Sequence, residues 1–145
     1  MKFIMCTFLG TRFLELRNRE PFKNLQLERD VDLESDPPEV RYCLGKNVVE
    51  VLCDLDETVT TIFLHTSQYK DFCLSEIPFT SSRIEVAHLI GFKPTYCGER
   101  MIDPDLGKCG AWDRFDLRDC SIHVQFKYGS DVIELITLMR PDVAP

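Results

Sequence analysis

Three carboxylates and a threonine follow an apolar run near the middle of the sequence. Asp54, Asp56 and Glu57 come directly after residues 49–53, and Thr58 follows them. Carboxylate oxygens are good ligands for Mg²⁺, and a carboxylate can also act as a nucleophile. Metal-assisted or nucleophilic chemistry at the end of a strand is therefore the first activity that these residue types suggest.

The order of these residues resembles the D-x-D-x-T motif of the haloacid-dehalogenase-type phosphatases. The resemblance implies that Asp54 attacks phosphorus, that Asp56 acts as acid and base, and that both help to hold Mg²⁺. Two features oppose it. The motif lies mid-chain instead of opening a long parallel α/β domain, and residues 59–64 read as a strand where that family has a loop and a helix. We expect a polar hairpin turn and keep the phosphatase as an alternative.

The remaining metal-binding and nucleophilic residue types are scattered. Of the three histidines, only His88 lies in a predicted helix with a carboxylate one turn away, at Glu85, and the seven cysteines contain no C-x-x-C pair. We therefore expect no catalytic residue, no metal and no cofactor. The odd number of cysteines and the absence of a convincing export signal favour free thiols and a cytoplasmic location.

A weak internal repeat is the most informative pattern in the chain. Arg41-Tyr42-x-Leu44 and the two apolar runs after it are echoed by Arg114-Phe115-x-Leu117 and two further runs. The offset is 73 residues from Arg41 and Arg114 through Val51 and Val124, and 74 residues for Ile62 and Ile136. The repeat aligns residues 54–57 with residues 127–130, which lack the carboxylates, and this also argues against the phosphatase.

The repeat and the secondary-structure signals together predict the fold. Residues 82–91 predict a helix, because Ser82 and Glu85 match a capping box and Gly91 can end it. Residues 121–126 alternate as a half-buried strand does, whereas the acidic segment 28–39 and residues 95–110 predict loops. We expect a single α+β domain over residues 1–145. Two helix-plus-antiparallel-meander repeats, approximately 1–66 and 77–139, would form one antiparallel sheet with helices on one face.

The solvent-facing side of the predicted strands is the expected functional surface. Aromatic residues and arginine are over-represented at binding hot spots, and several lie at strand starts. The candidate partner-binding residues are Glu50, Trp112, Arg114, His123 and Gln125.

Composition limits the classes of partner. The net charge is -7 and the pI is about 4.9, so phosphate backbones are repelled and nucleic-acid binding is not expected. No apolar stretch approaches the ~20 residues of a membrane span. An acidic surface does suit a basic protein partner, because complementary charge accelerates encounter.

A resemblance carried by the second half of the chain points in the same direction. The residues that carry it are Pro78 to Val86, Ile90-Gly91-x-x-Pro94, Trp112-Asp113-Arg114-Phe115 and Ile122 to Phe126. They resemble small bacterial proteins that are encoded as immunity partners beside polymorphic toxins, over roughly residues 40–139. The glycine–proline spacing is one residue longer here than in that pattern. At the level of fold alone, the predicted repeat also resembles the β-lactamase inhibitor protein and the small outer-membrane assembly lipoproteins.

The resemblance implies a non-enzymatic protein that neutralises a cognate, basic toxin by covering its active site. The alternatives that stay open are the Mg²⁺-dependent phosphatase that uses Asp54 and Asp56, and an assembly module that forms a homodimer through its sheet.

Overall fold

Short segments in which buried residues alternate with half-buried ones form the inner strands of the main sheet. The computed structural model describes residues 3–20, 22–46, 48–65 and 77–145. Strand β9, with apolar residues at every second position, shows the pattern most clearly. The strands in these residues are β1 (Leu27–Asp32), β2 (Glu39–Leu44), β3 (Val49–Cys53), β4 (Val59–His65), β5 (Tyr96–Gly98), β6 (Met101–Asp103), β7 (Gly107–Cys109), β8 (Trp112–Asp116), β9 (Ser121–Phe126) and β10 (Ile133–Met139).

The α-helices of the described residues are short. They are α1 (Phe13–Arg17) and α2 (Arg83–Ile90), and two 3-10 helices cover Ile4–Phe8 and Phe22–Asn24. The predicted capping box of α2 is confirmed, since Ser82 accepts a hydrogen bond from the Glu85 N–H and the Glu85 carboxylate accepts one from the Ser82 N–H. Gly91 ends this helix in the left-handed conformation, at φ 97°.

Eight strands form one antiparallel sheet in the order β1-β2-β3-β4-β10-β9-β8-β5, and β6 pairs separately with β7. The order reads alike from either edge: two consecutive strands flank the central β4–β10 pair on each side, β3 and β2 on one and β9 and β8 on the other, and a third strand closes each edge. No helix among the described residues is long and apolar enough to cross a membrane.

The predicted α+β class, with helix-plus-meander repeats and helices on one face, is wrong. The described residues carry ten strands and only two short α-helices, so one eight-stranded sheet dominates the fold. The acidic segment that predicted a connector contains strand β1 instead. Its backbone pairs with β2 while all six side chains stay exposed, so strand formation here needs no apolar face. Strand β5 arises in the same way, from residues that predicted a loop.

The central pair of strands shows how the two halves of the sheet are related. Phe63 pairs with Thr137, while Ile62 pairs with Leu138 and Leu64 pairs with Ile136. An offset of 74 residues makes Ile136 the equivalent of Ile62, and Leu138 the equivalent of Leu64. Ile62 therefore pairs with the equivalent of Leu64, and Leu64 pairs with the equivalent of Ile62, with the Phe63–Thr137 pair at the centre. The described strands therefore meet about a local pseudo-twofold axis.

The register corrects the sequence alignment in the outer strands. Glu50 pairs with Phe63 as His123 pairs with Thr137, so Glu50 and His123 are equivalent. Next along, Arg41 pairs with Leu52 and Trp112 pairs with Gln125. Arg41 is thus equivalent to Trp112, not to Arg114. The β8–β9 hairpin is two residues longer than the β2–β3 hairpin, and the matching Arg-aromatic-x-Leu letters conceal that difference.

One face of the sheet carries the hydrophobic core. The N-terminal residues pack against it, with the Phe13 ring stacked on Tyr42 at 3.6 Å between centroids. Helix α2 is fixed to β8 by Arg83, whose guanidinium donates to both oxygens of the buried Asp113 carboxylate at 2.8 and 2.9 Å. Fully buried side chains on this face include Phe13, Leu44, Val51, Ile62, Leu64, Phe115, Ile122, Val124, Phe126 and Ile136.

A disulfide bond joins the first 3-10 helix to the β8–β9 turn. Cys6 and Cys120 are 114 residues apart in sequence, and their Cα atoms are 6.1 Å apart. The free cysteines among the described residues are Cys43, Cys53, Cys97 and Cys109. The expectation that cysteines serve only as free thiols is therefore wrong for this pair, because the fold places their side chains together.

Candidate functional site

The D-x-D-x-T residues form the turn between β3 and β4. One carboxylate oxygen of Asp54 accepts hydrogen bonds from the Asp56 N–H at 2.9 Å and the Thr58 N–H at 3.0 Å. Glu57 adopts φ 62°, and its carboxylate accepts hydrogen bonds from the Tyr42 hydroxyl at 2.7 Å and from Arg29 at 3.1 Å. The Tyr42 hydrogen bond is the main cause that lowers the pKa of Glu57. Asp54 and Glu57 thus stabilise the turn by satisfying donors around it.

The surroundings of the motif differ from those of a phosphoryl-transfer site. Strand β4 returns antiparallel to β3 straight after Thr58, whereas the motif of the phosphatases precedes a loop and a helix. Among the residues described here, no three histidine, cysteine or carboxylate side chains are grouped so that they could hold a metal ion.

Two thiols in the first half of the sheet are poor nucleophiles. Burial is the largest cause that raises the pKa of Cys53, to about 12. Burial, followed by the Glu50 carboxylate, raises the pKa of Cys43. Both thiols therefore stay protonated near neutral pH, and a reactive cysteine needs the opposite environment.

The five predicted partner-binding residues lie on the sheet face opposite the core, which we call the outer face. Side chains alternate along each strand, so the neighbours of core residues point to this side. Most are half-buried, and Thr61 and Thr137 at its centre are only 7% and 6% exposed. The outer face comprises Arg41, Cys43, Glu50, Leu52, Thr61, Phe63, His65, Trp112, Arg114, His123, Gln125, Leu135, Thr137 and Met139.

Glu50 lies at the centre of an ionic cluster on the first half of the outer face. Its carboxylate is 3.6 Å from Arg41 Nη1 and 3.8 Å from His65 Nε2. The same Nε2 atom is buried and has no hydrogen-bond partner among the described residues. We call Arg41, Glu50 and His65 the ionic cluster; the Arg41 guanidinium balances the charge of the Glu50 carboxylate.

Three of the predicted residues, Trp112, Arg114 and His123, meet at a cavity on the second half of the outer face. The Trp112 indole stacks on His123, with ring centroids 5.2 Å apart and planes inclined by 24°. The cavity has a volume of about 460 Å³, within the range of small-ligand sites. Its lining residues are Tyr96, Trp112, Arg114, His123, Met139 and Pro145, which we call the aromatic pocket.

Arg114 organises the polar side of the aromatic pocket. Its guanidinium donates to both carboxylate oxygens of Asp116, at 2.8 and 3.3 Å, and also to the carbonyl oxygen of Pro145. Its Cζ atom lies 5.0 Å from the centroid of the Tyr96 ring. The Arg114 bonds are the main cause that lowers the pKa of Asp116. The pair is therefore charged and mutually neutralised at neutral pH.

The electrostatic state of His123 follows from its position. Burial under Trp112 is the largest cause that lowers the pKa of His123, the Arg114 charge lowers it further, and Asp113 opposes both. The imidazole is therefore neutral at pH 7 and suited to stacking.

Gly98 makes room for the indole of the pocket. It pairs with Trp112 across β5 and β8, and a Cβ atom at Gly98 would lie 2.2 Å from the Trp112 Nε1 atom. The ring therefore lies across the glycine backbone, an arrangement found where an aromatic residue covers a strand glycine. Sequence reasoning missed Tyr96, Gly98, Met139 and Pro145, because only strand pairing and the tail bring them to Trp112.

The other two predicted residues lie outside the aromatic pocket. Gln125 is the cross-strand partner of Trp112 on β9, and Glu50 belongs to the ionic cluster. The five residues thus share a face but fall into two groups with different chemistry.

Acidic residues line the edge next to the ionic cluster. On the outer-face side of β1, Glu28, Asp30 and Asp32 are all exposed. Acidic side chains on an edge strand discourage pairing with a second copy of the same edge, since like charges would face each other. They also give the first half of the outer face a negative border that suits a basic surface.

No protein-family model, no curated protein and no solved structure matches this chain.

Proposed function

We propose that this protein is a non-enzymatic binding protein that inhibits a basic partner protein by covering it with the outer face. The observation that carries the proposal is the aromatic pocket, which places a tryptophan, a tyrosine and an arginine together on a sheet face. These three residue types are the most enriched among interface hot spots. In its most specific form, the proposal is an immunity-type protein whose partner is a bacterial toxin.

The two halves of the outer face have different roles in this proposal. The aromatic pocket anchors the partner, because a half-buried, rigid aromatic side chain loses little conformational freedom on binding. The acidic edge accelerates encounter through long-range attraction, so the association rate falls as ionic strength rises. Inhibition follows from steric occlusion of the partner's active site and requires no chemistry by this chain.

The test is calorimetric titration against purified protein products of the genes adjacent to its own, each with an assay of that product's activity. We expect one neighbouring product to bind with a dissociation constant below about 1 µM, equivalent to about 8 kcal/mol, and to lose activity at one equivalent. Ile84→Ala is the control for a substitution outside the proposed binding surface. Ile84 is 79% exposed on α2, away from the outer face, so binding should not change. Absence of binding at micromolar protein for every neighbouring product contradicts the proposal.

The proposal also includes a cytoplasmic location, and the Cys6–Cys120 disulfide provides a way to test it. Disulfides persist in oxidising compartments and are rare in a reducing cytoplasm. Alkylation of cells before lysis, followed by peptide mapping, distinguishes the cases. Labelled Cys6 and Cys120 fit the cytoplasm, and protected thiols at both positions contradict it.

A further inference from the structure

We propose that the aromatic pocket recognises an extended, proline-containing segment of a partner protein, and that Pro145 of the chain's own tail occupies its mouth in the free protein. This inference deepens the proposed function, on which it rests for the role of the outer face. It adds the chemistry of the segment that is bound.

The lining of the pocket fits a proline ring. Tyr96 and Trp112 provide aromatic surface, and Met139 adds an adaptable apolar side chain. Grooves lined by aromatic rings recognise proline-rich segments, because an extended proline helix is already ordered and loses little entropy on binding. An aromatic lining alone would also admit other apolar groups, so the polar groups decide between them.

The charge balance of the pocket favours a neutral ligand with a carbonyl group. Two nitrogen atoms of the Arg114 guanidinium are bound to Asp116, and the third donates to the main-chain oxygen of Pro145. The lowered pKa of His123 keeps the imidazole uncharged at neutral pH. Asp116 already neutralises the Arg114 charge, so a further anionic group gains little attraction there, whereas a neutral carbonyl needs only a donor.

The chain's own tail shows how such a segment is seated. After β10, the tail reverses its direction through the Val143 N–H bond to the Arg140 carbonyl oxygen at 3.1 Å. An Arg140–Asp142 ion pair at 2.9 Å lies beside this turn. Pro145 then lies at the pocket with its carbonyl oxygen on Arg114. A proline and its backbone carbonyl are thus the groups that the pocket holds, and the short tail supplies them at high local concentration.

The experiment uses the intrinsic fluorescence of Trp112, the single tryptophan of the chain. The unaltered protein and its Pro145→Gly variant are titrated with a blocked decaproline peptide, and a glycine–serine decapeptide is the control probe. Pro141→Gly is the matched variant, because Pro141 is in the same tail but outside the pocket lining. Thermal unfolding is expected to be alike in all three chains, since both prolines are exposed.

We expect decaproline to shift the Trp112 emission of every chain and to bind Pro145→Gly about tenfold more tightly, because a tethered competitor acts at roughly millimolar effective concentration. Pro141→Gly should behave as the unaltered protein does. The proposal is overturned if none of the three chains responds to about 1 mM decaproline, or if the glycine–serine peptide binds as tightly as decaproline does. It is also overturned if Pro145→Gly and Pro141→Gly have the same affinity for decaproline. Partner binding without a peptide response would reject this inference alone, and a peptide response without any partner would reject the proposed inhibitor.

Discussion

The ionic cluster and the centre of the aromatic pocket occupy equivalent positions in the two halves of the sheet. Arg41, Glu50 and His65 correspond to Trp112, His123 and Met139 through the strand register. In both, a central residue on the third strand from the edge is flanked diagonally by side chains from its two neighbouring strands. The backbone frame is the same, and the side chains alone differ.

The central residue accounts for much of the difference in chemistry. A carboxylate at Glu50 attracts Arg41 and His65, whereas the neutral imidazole of His123 stacks on an indole. Arg114 then pairs with Asp116 on its own strand instead of with the central residue. One frame can therefore carry a charged patch in one half and an apolar cavity in the other, which suits steering and anchoring of the same partner.

The substitution with the largest expected effect on this comparison is Gly98→Val. The new side chain would collide with the Trp112 indole, since a Cβ atom alone lies 2.2 Å from Nε1. We expect the ring to be expelled, partner binding to be lost and the free energy of unfolding to fall by about 1–3 kcal/mol, as in other overpacked sites. Urea unfolding and Trp112 emission measure both effects.

The control for that experiment is Asp30→Val, at the position equivalent to Gly98 in the ionic half. Asp30 pairs with Arg41 as Gly98 pairs with Trp112, and its side chain is exposed. Its replacement should change the free energy of unfolding by no more than about 0.5 kcal/mol. Equal effects of the two substitutions would show that the halves do not differ as described.

A smaller effect is expected in the pH dependence of stability. Because burial in the folded protein lowers the pKa of His123 below its ordinary value of 6.5, the unfolded chain binds more protons than the folded chain as the pH falls through that value. Stability is therefore full above about pH 6.5 and decreases as the pH drops towards the lowered pKa. His123→Gln should lessen this decrease in urea unfolding between pH 7 and pH 5. An unchanged pH profile in that variant would mean that His123 is not held neutral by the pocket.

The sequence predicts those parts of the fold that local chemistry determines. The capping box of α2 and the alternation of residues 121–126 depend on neighbours in the chain, and both are present. Strands β1 and β5 could not be predicted, because they depend on backbone pairing with β2 and β8 rather than on an apolar pattern of their own. The sequence repeat aligns Arg41 with Arg114, two residues away from its structural equivalent Trp112. This error also arises from strand pairing, because hairpin length, not residue type, sets the register.

The candidate site divides in the same way. Residue type at the strand starts predicts Trp112 and Arg114, and alternation along residues 121–126 predicts His123; the structure brings all three to one cavity. The sequence pattern could not show that Tyr96 and Pro145 complete that cavity, because one comes from a distant edge strand and the other from the tail. The sequence pattern also could not show that Glu50 lies outside the aromatic pocket, because that depends on how the two halves of the sheet pair through β4 and β10.

The central claim is that the aromatic pocket anchors the partner while the ionic cluster does not. The most direct measurement compares Trp112→Ala with Arg41→Ala, the equivalent position, in calorimetric titrations with the partner. We expect Trp112→Ala to weaken binding by at least about 30-fold, corresponding to the 2 kcal/mol of a hot spot. Arg41→Ala should change the affinity by less than about threefold, as rim charges usually do. Equal losses, or a greater loss for Arg41→Ala, would contradict the account.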